Sequence, residues 1–320
     1  DGVTAEEVKG ILLGMASGQE TLLGYFRRFI RNFEKRVGIN RTVGSLRAYS
    51  NAYSHIERFL QAQYKLSDIP FSALDRSFID KYDLYLRTER NLAPGTIINL
   101  TVQLKTIVGE AIADGIITAS PFMGYEPVRP KHVQKYLTAE ELHRIMTTPL
   151  HRQTLYHVRD MFLFSCFTGI PYGDMRLLTK DNLCLAEDGI WWIKSARQKT
   201  KIEFEIPLLD LPLQILKKYS GTAPGDKLLP MYCNSTLNLY LKEIARICHI
   251  DRPLVFHAGR HTYATEITLS HGVPLETVSR MLGHSQIETT QIYAKVTDEK
   301  IDADTKTLNR KISERFSVVI

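Results

Sequence analysis

Residues 119–136 read ASPFMGYEPVRPKHVQKY, and no regular element is expected to run through them. Pro121, Pro127 and Pro130 each remove a backbone donor and push the preceding residue away from the helical region. The stretch therefore divides the chain into two parts that must each bury a core of their own, and 320 residues are enough for both. With Lys131 and Lys135 in it, the segment 126–137 reads as an extended basic linker.

Ahead of the linker, apolar residues recur at helical spacing: Phe26, Phe29, Ile30 and Phe33, then Tyr49, Tyr53, Ile56 and Phe59, then Ile79, Tyr82 and Leu86. Pro70 interrupts the pattern, and Pro94 is placed to open a further helix at its first turn. Residues 21–125 are thus predicted to form an all-helical domain. Residues 1–20 read as a helical segment, and because the chain opens on Asp1 rather than Met they are expected to be the remnant of, or the linker from, a missing upstream domain. The second domain spans residues 138–320 and opens on a capping box, Thr138 with Glu141 three residues on. The segment HRQTLYHVRDMFLFSCFTGI reads as a buried helix, and GIWWIKSARQKTKIEFEIPL as a β-hairpin turning at RQKTK. Helices follow, the last ending in the β-prone tail SVVI. The fold class is mainly α with a small β-hairpin: a helical domain joined to a mixed α+β domain.

Lys and Arg outnumber Asp and Glu 41 to 35, and the excess is concentrated. From residue 25 to residue 58 stand Arg27, Arg28, Arg31, Lys35, Arg36, Arg41, Arg47 and Arg58 against Glu34 and Glu57, a local +6 that equals the whole chain's net charge. Such a stretch reads either as a solvated helix face or as a surface that tracks phosphates. Cys166, Cys184, Cys233 and Cys248 form no CxxC pair, which fits unpaired packing thiols in a reducing compartment. No apolar run approaches the ~20 residues of a membrane span, and no signal peptide opens the chain, so a cytoplasmic location is expected.

The segment HAGRH sets His257, Arg260 and His261 within five residues. His257 and His261 have a spacing that suits a shared metal, but no carboxylate follows at ligand spacing, so no metal site is expected. Alone, His261 reads equally as a satisfied buried histidine and Arg260 as an ion-pair partner. Further along, Gly283 and His284 precede Tyr293, nine residues after the histidine and placed by its pattern in a short helix. A tyrosine hydroxyl titrates near pH 10 and is a poor nucleophile unless cations stabilise its oxyanion or a base takes its proton. Arg260, His257 and His284 supply that setting, and the same groups would neutralise the charge of a phosphodiester under attack. Lys199, at the hairpin tip, has the type and position of a general acid for the leaving oxygen, or of an ordinary solvated turn lysine. This chemistry calls for no ATP, metal or other cofactor.

The order of hairpin lysine, HxxRH, LGH and a tyrosine nine residues on resembles the tyrosine recombinases, the phage-integrase family, across essentially the whole chain. The segments IWWIKSARQKT and HAGRHTYAT resemble in particular the integrases of conjugative transposons and related mobile elements. The resemblance implies a site-specific recombinase acting on double-stranded DNA at core sites. It further implies a 3′-phosphotyrosyl intermediate on Tyr293, Arg260 holding the scissile phosphate, and His257 and His284 hydrogen-bonding to it. Lys199 is implied as the acid and His261 as a supporting residue, and strand exchange is implied to pass through a Holliday junction within a homo-tetramer. Residues 21–125 are implied to be a core-type DNA-binding domain in a bacterial, nucleoid-associated protein, with Arg41, Arg47, Arg58, Lys131 and Lys135 as candidate DNA contacts. Accessory DNA-bending factors are a further expectation, and the tail, residues 316–320, is expected to dock either on a neighbouring protomer or on its own domain.

One position departs from the family pattern. The first catalytic arginine is expected one residue past TG, yet the chain reads FTGIPYGDM with Pro171 there, while Asp174 matches the family's acidic supporting position. Two arginines lie close in sequence: Arg159, twelve residues earlier on the preceding helix, and Arg176, five residues later. Arg159 is the favoured substitute, with an ion pair to Asp160 as the plain alternative. Pro171 also keeps open a weakened or silent DNA-binding protein of the same fold, and a type IB topoisomerase-like relaxation activity would share the tyrosyl chemistry.

Overall fold

A computed structural model describes residue 9 and residues 19–129, 135–293 and 298–313. The segment 1–20 and the tail 316–320 therefore lie largely or wholly outside the described residues, as does Lys131. The chain divides into two compact units, Asp1–His132 and Val133–Ile320.

The first unit holds helices α1 (Leu22–Glu34), α2 (Val43–Phe59, continued by a π turn to Tyr64), α3 (Arg76–Thr88) and α4 (Pro94–Ala113). Their starts follow from local chemistry. Thr42 accepts from the Ser45 amide and Asp75 from the Phe78 amide, while Pro94 occupies the first turn of α4, where its missing N–H costs nothing. The α1 amides of Leu23 and Gly24 are instead satisfied from a distance by the Asp68 carboxylate, at 2.8 and 3.0 Å. The periodic residues meet in an aromatic core: the Phe59 ring lies edge-on to Phe78 at 5.3 Å and close to Tyr82 and Tyr85. Each such buried ring contributes about 1.5–3 kcal/mol.

The second unit is built around α6 (Gln153–Thr168), which buries Leu155, Val158, Met161, Phe162, Leu163, Phe164 and Cys166 and so is apolar on nearly every side. Before it stands α5 (Ala139–Thr147), whose capping box has both hydrogen bonds in place. After it come the short α7 (Tyr172–Met175) and a three-stranded antiparallel sheet in the order β1 (Leu183–Leu185), β2 (Trp191–Ala196), β3 (Glu203–Pro207). β2 and β3 are the hairpin expected from the pattern; β1 is an addition to it, too short and half-buried to show a period. Ile193, Phe204 and Ile206 form the sheet's buried face, and Lys194 pairs with Glu205 across the strands on the other. Then follow α8 (Asp210–Lys218), α9 (Asn234–Ile247), α10 (Ala258–Thr262, continued by a π turn from Tyr263 to Thr268), α11 (Leu275–Leu282), α12 (Glu288–Gln291) and α13 (Asp298–Ser313). The four cysteines are free; Cys166 and Cys248 are buried as packing residues, whereas Cys233 is exposed.

Gly169 ends α6 in the left-handed conformation, φ +70°, and lies against α10 and α11. A Cβ there would stand 2.5 Å from the Tyr263 ring and 2.8 Å from Leu282. Gly169→Ala is therefore expected to lower Tm by roughly 5–15 °C, combining left-handed strain with overpacking. An unchanged melting curve would show that this junction tolerates repacking.

Among the described residues no helix is long and apolar enough to cross a membrane.

Candidate active site

The site lies where α10, the end of α11 and the turn after α12 meet the base of the hairpin. Arg260, on α10, is 3% exposed. Its Nη1 donates to the Gly169 carbonyl at 2.9 Å, and its Nη2 to the Leu282 carbonyl at 2.7 Å and to the His284 Nε2 at 2.8 Å. Those two carbonyls belong to the C-terminal ends of α6 and α11, so the guanidinium ties together two helix ends whose carbonyls carry partial negative charge. Burial, then the charge of Arg197, lowers the Arg260 pKa, but the guanidinium remains charged.

A guanidinium only donates, so the His284 Nε2 must accept, leaving the ring proton on Nδ1. That nitrogen lies 2.7 Å from the buried Thr290 hydroxyl, which fixes the tautomer. Burial first, then Arg260 and Arg197, push His284 down to about 4. His261 falls to about 4 as well, through burial, His257, Lys135 and Arg260. His257 is also lowered, by loss of solvent first and then by the charges of Arg260, Arg197 and Lys135.

Tyr293 is 8% exposed and stands in the turn just past α12, not within a helix as its pattern suggests. Its ring is parallel to His284, with centroids 6.3 Å apart, and meets His261 at 5.1 Å and a 65° angle. His261 in turn meets His257 at 4.9 Å. Burial raises the Tyr293 pKa, while the charge and side-chain hydrogen bond of Arg260, then the charge of Arg197, pull it down. The arrangement can stabilise a phenolate and an anionic ligand with the same cations.

Lowered histidines make stability depend on pH with a definite sign. The unfolded chain binds their protons below about 6.5 while the folded chain does not, so stability is full above that value and is lost as pH falls toward the folded-state values. Tm is expected to fall between pH 6.5 and 5, ahead of most carboxylate titration. His55 and His157 are lowered too and act in the same direction, so His261→Asn should flatten the slope without abolishing it. A Tm constant across this window would contradict the burial of these rings.

The structure brings Tyr293, Arg260, His257, His261 and His284 together, and it holds Asp174 beside them, buried on α7. Lys199 is exposed on the hairpin turn and Lys135 is exposed next to the histidines. Arg159 is not brought in. Its Nη1 donates to the Met146 and Thr148 carbonyls at 3.3 Å, its guanidinium lies over the Tyr156 ring, and its Nε is 3.8 Å from Asp160. The side chain thus caps the end of α5 on a different face of α6. Arg176 is exposed at the end of α7.

The guanidinium that does enter is Arg197, at the end of β2. Its side chain is 15% exposed, its Nε is 2.9 Å from Asp174 Oδ2, and its Nη1 donates to the Leu282 carbonyl at 3.3 Å. Spacing along the chain gives no sign of this, because the strand pairing carries it. The available signal is chemical: the buried Asp174 carboxylate needs a cation, and the hairpin base supplies one.

In the first unit Arg41, Arg47 and Arg58 are exposed. Arg41 packs over the Phe33 ring and Arg28 over Tyr25, around a 380 Å³ cleft that Arg36 also lines.

Residues 135–300 match the Phage integrase family, and residues 21–127 match the Phage integrase SAM-like domain. The tyrosine recombinase XerD of Listeria monocytogenes is 25% identical over 273 residues, covering 80% of this chain and 89% of that protein. A tyrosine recombinase of Pseudothermotoga lettingae is 24% identical over 253 residues, 76% of this chain and 85% of its own length. Among solved structures, the Tn1549 transposon integrase in complex with transposon right end DNA superposes with a TM-score of 0.70 at 19% identity, covering 91% of this chain and all of that one. A lambda integrase dimer bound to a COC′ core site gives 0.70 at 18% identity over 87% of this chain and all of the other.

Proposed function

The chain belongs to the phage integrase family and is a tyrosine recombinase, and from that premise we propose that it cleaves and rejoins duplex DNA at specific sites as the integrase of a mobile element. The observation that carries the reading is the buried Arg260, hydrogen-bonded to His284, with its charge acting on the buried Tyr293 hydroxyl. Tyr293 attacks the scissile phosphorus, its Oη–P bond forming as the P–O5′ bond breaks. The phenolic proton passes to a neutral imidazole of the cluster, and Lys199 protonates the departing 5′ oxygen. Arg260 and His284 hold the nonbridging oxygens where negative charge develops. The 3′-phosphotyrosyl ester stores the bond, so a 5′ hydroxyl from a second strand reverses the step with no cofactor.

Relatives of this fold include a lambda integrase tetramer bound to a Holliday junction, which supports a tetramer and a junction intermediate for this chain as well. The helical unit would grip the duplex, with Arg41, Arg47 and Arg58 on phosphates and Lys135 near the cleavage point. Each such contact steepens the salt dependence of binding by about one ion.

The test is a denaturing gel of the wild type and Tyr293→Phe, each incubated in EDTA with a nicked suicide duplex selected from a random pool for binding to the protein. A shifted covalent band from the wild type alone is the expected result. A band of equal strength from Tyr293→Phe would remove Tyr293 as the nucleophile, and no band from a bound wild type would favour a silent DNA-binding protein.

A further inference from the structure

We propose that Arg197 holds the scissile phosphate together with Arg260, supplying from the hairpin the guanidinium that Pro171 cannot. The inference rests on the strand-cleaving function proposed above, and three observations on different elements carry it.

The first is the shared anchor. The Leu282 carbonyl accepts from Arg260 Nη2 at 2.7 Å and from Arg197 Nη1 at 3.3 Å, so two guanidiniums face one another across one oxygen. Two cations forced together out of water repel unless an anion sits between or beside them. Asp174 is the only acid that forms an ion pair with either of them among the described residues. A phosphodiester would be the second anion.

The second is the incomplete pairing. Arg197 Nε and Asp174 Oδ2 are 2.9 Å apart but out of line for a hydrogen bond, and neither atom finds another partner. Asp174 spends its other oxygen on the Gln198 amide at 2.8 Å, which pins the base of the hairpin to α7. The guanidinium is thus placed by charge while its N–H groups stay largely uncommitted, which suits a donor waiting for a ligand.

The third is the room made for it. Gly283, φ +64° at the end of α11, carries no Cβ; one there would meet Arg197 Cγ at 2.9 Å and Cδ at 3.3 Å. The residue before His284 is therefore cut away where the Arg197 stem passes. Its charge reaches the site, since it acts on His257, Arg260, His284 and Tyr293 alike. Pro171 immediately precedes α7, the helix of Asp174, so an arginine from either place would stand beside the same carboxylate.

The experiment measures single-turnover cleavage of the selected suicide duplex, with DNA affinity and Tm in parallel, for wild type, Arg197→Ala, Arg197→Lys and the double variant Arg197→Ala with Pro171→Arg. Arg197→Ala should cleave about 10²–10³-fold more slowly, with affinity changed by no more than a few fold. The double variant should recover at least about tenfold of that loss, which a merely structural arginine would not allow. A duplex with a methylphosphonate at the scissile position adds a second readout. Removing one charged oxygen removes part of the need for two guanidiniums, so the Arg197→Ala defect should shrink on it. Cleavage by Arg197→Ala at the wild-type rate would overturn the assignment. So would a defect that neither the returned arginine nor the neutral phosphonate reduces while the fold is intact. If the wild type itself forms no Tyr293-dependent adduct, the strand-cleaving function fails first and takes this assignment with it.

Discussion

Arg260→Ala is expected to slow covalent adduct formation by about 10²–10³-fold or more, with DNA affinity lowered far less. The reason for the split is where the charge points. Arg260 is 3% exposed and contributes little to the field that a duplex meets on approach, yet it bonds to His284 and its charge lowers the Tyr293 pKa. Its loss is felt when charge grows on the phosphate and the tyrosyl oxygen. The side chain also satisfies the Gly169 and Leu282 carbonyls, and each buried carbonyl left bare costs about 1–3 kcal/mol. Relief of the repulsion with Arg197 offsets part of that cost, so the melting temperature should fall only modestly. Arg260→Lys separates the two roles: it keeps the charge but cannot span both carbonyls and the imidazole at once. Single-turnover cleavage with melting curves for both variants makes the check. An alanine variant that cleaves at the wild-type rate would place the reaction elsewhere.

Chain-local chemistry was the part most legible from sequence. The Thr138–Glu141 capping box, Pro94 at the first turn of α4 and the β2–β3 hairpin each depend on a few neighbouring residues, and each is present in the structure. The grouping of HAGRH with LGH and Tyr293 was legible for another reason: a weak tyrosine nucleophile needs cations beside it, and the order of these motifs resembles a known family. What escaped the sequence depends on partners far apart in the chain. β1 exists because β2 lends it hydrogen bonds, and its three residues have no period to reveal it. Arg159 satisfies the proximity argument, but it turns to the carbonyls that end α5, which need a donor whatever the active site requires. Arg197 enters through the hairpin, 26 positions beyond the proline that stands where an arginine is expected.

Asp174 gives the second large effect, and the two substitutions there should behave differently. Asp174→Ala removes the acid from a pair whose side chains are 5% and 15% exposed, and breaking such a pair from one side costs about 3–5 kcal/mol. It also frees the Gln198 amide, so the hairpin base loses its tie to α7. Tm should drop by roughly 10 °C and cleavage by at least about 10²-fold. Asp174→Asn keeps an oxygen for the Gln198 amide and the same shape, but leaves Arg197 and Arg260 together with no compensating charge. Its fold should therefore be nearer the wild type while cleavage stays low, because Arg197 then gains by swinging toward solvent. Since an incoming phosphate restores the missing negative charge, the asparagine variant should lose less in binding than in rate. Measured together, melting, affinity and single-turnover cleavage distinguish an acid that merely supports the fold from one that aims a guanidinium. If Asp174→Asn cleaves as fast as the wild type, the carboxylate charge has no part in positioning Arg197, and the hydrogen bond to the hairpin is its whole contribution.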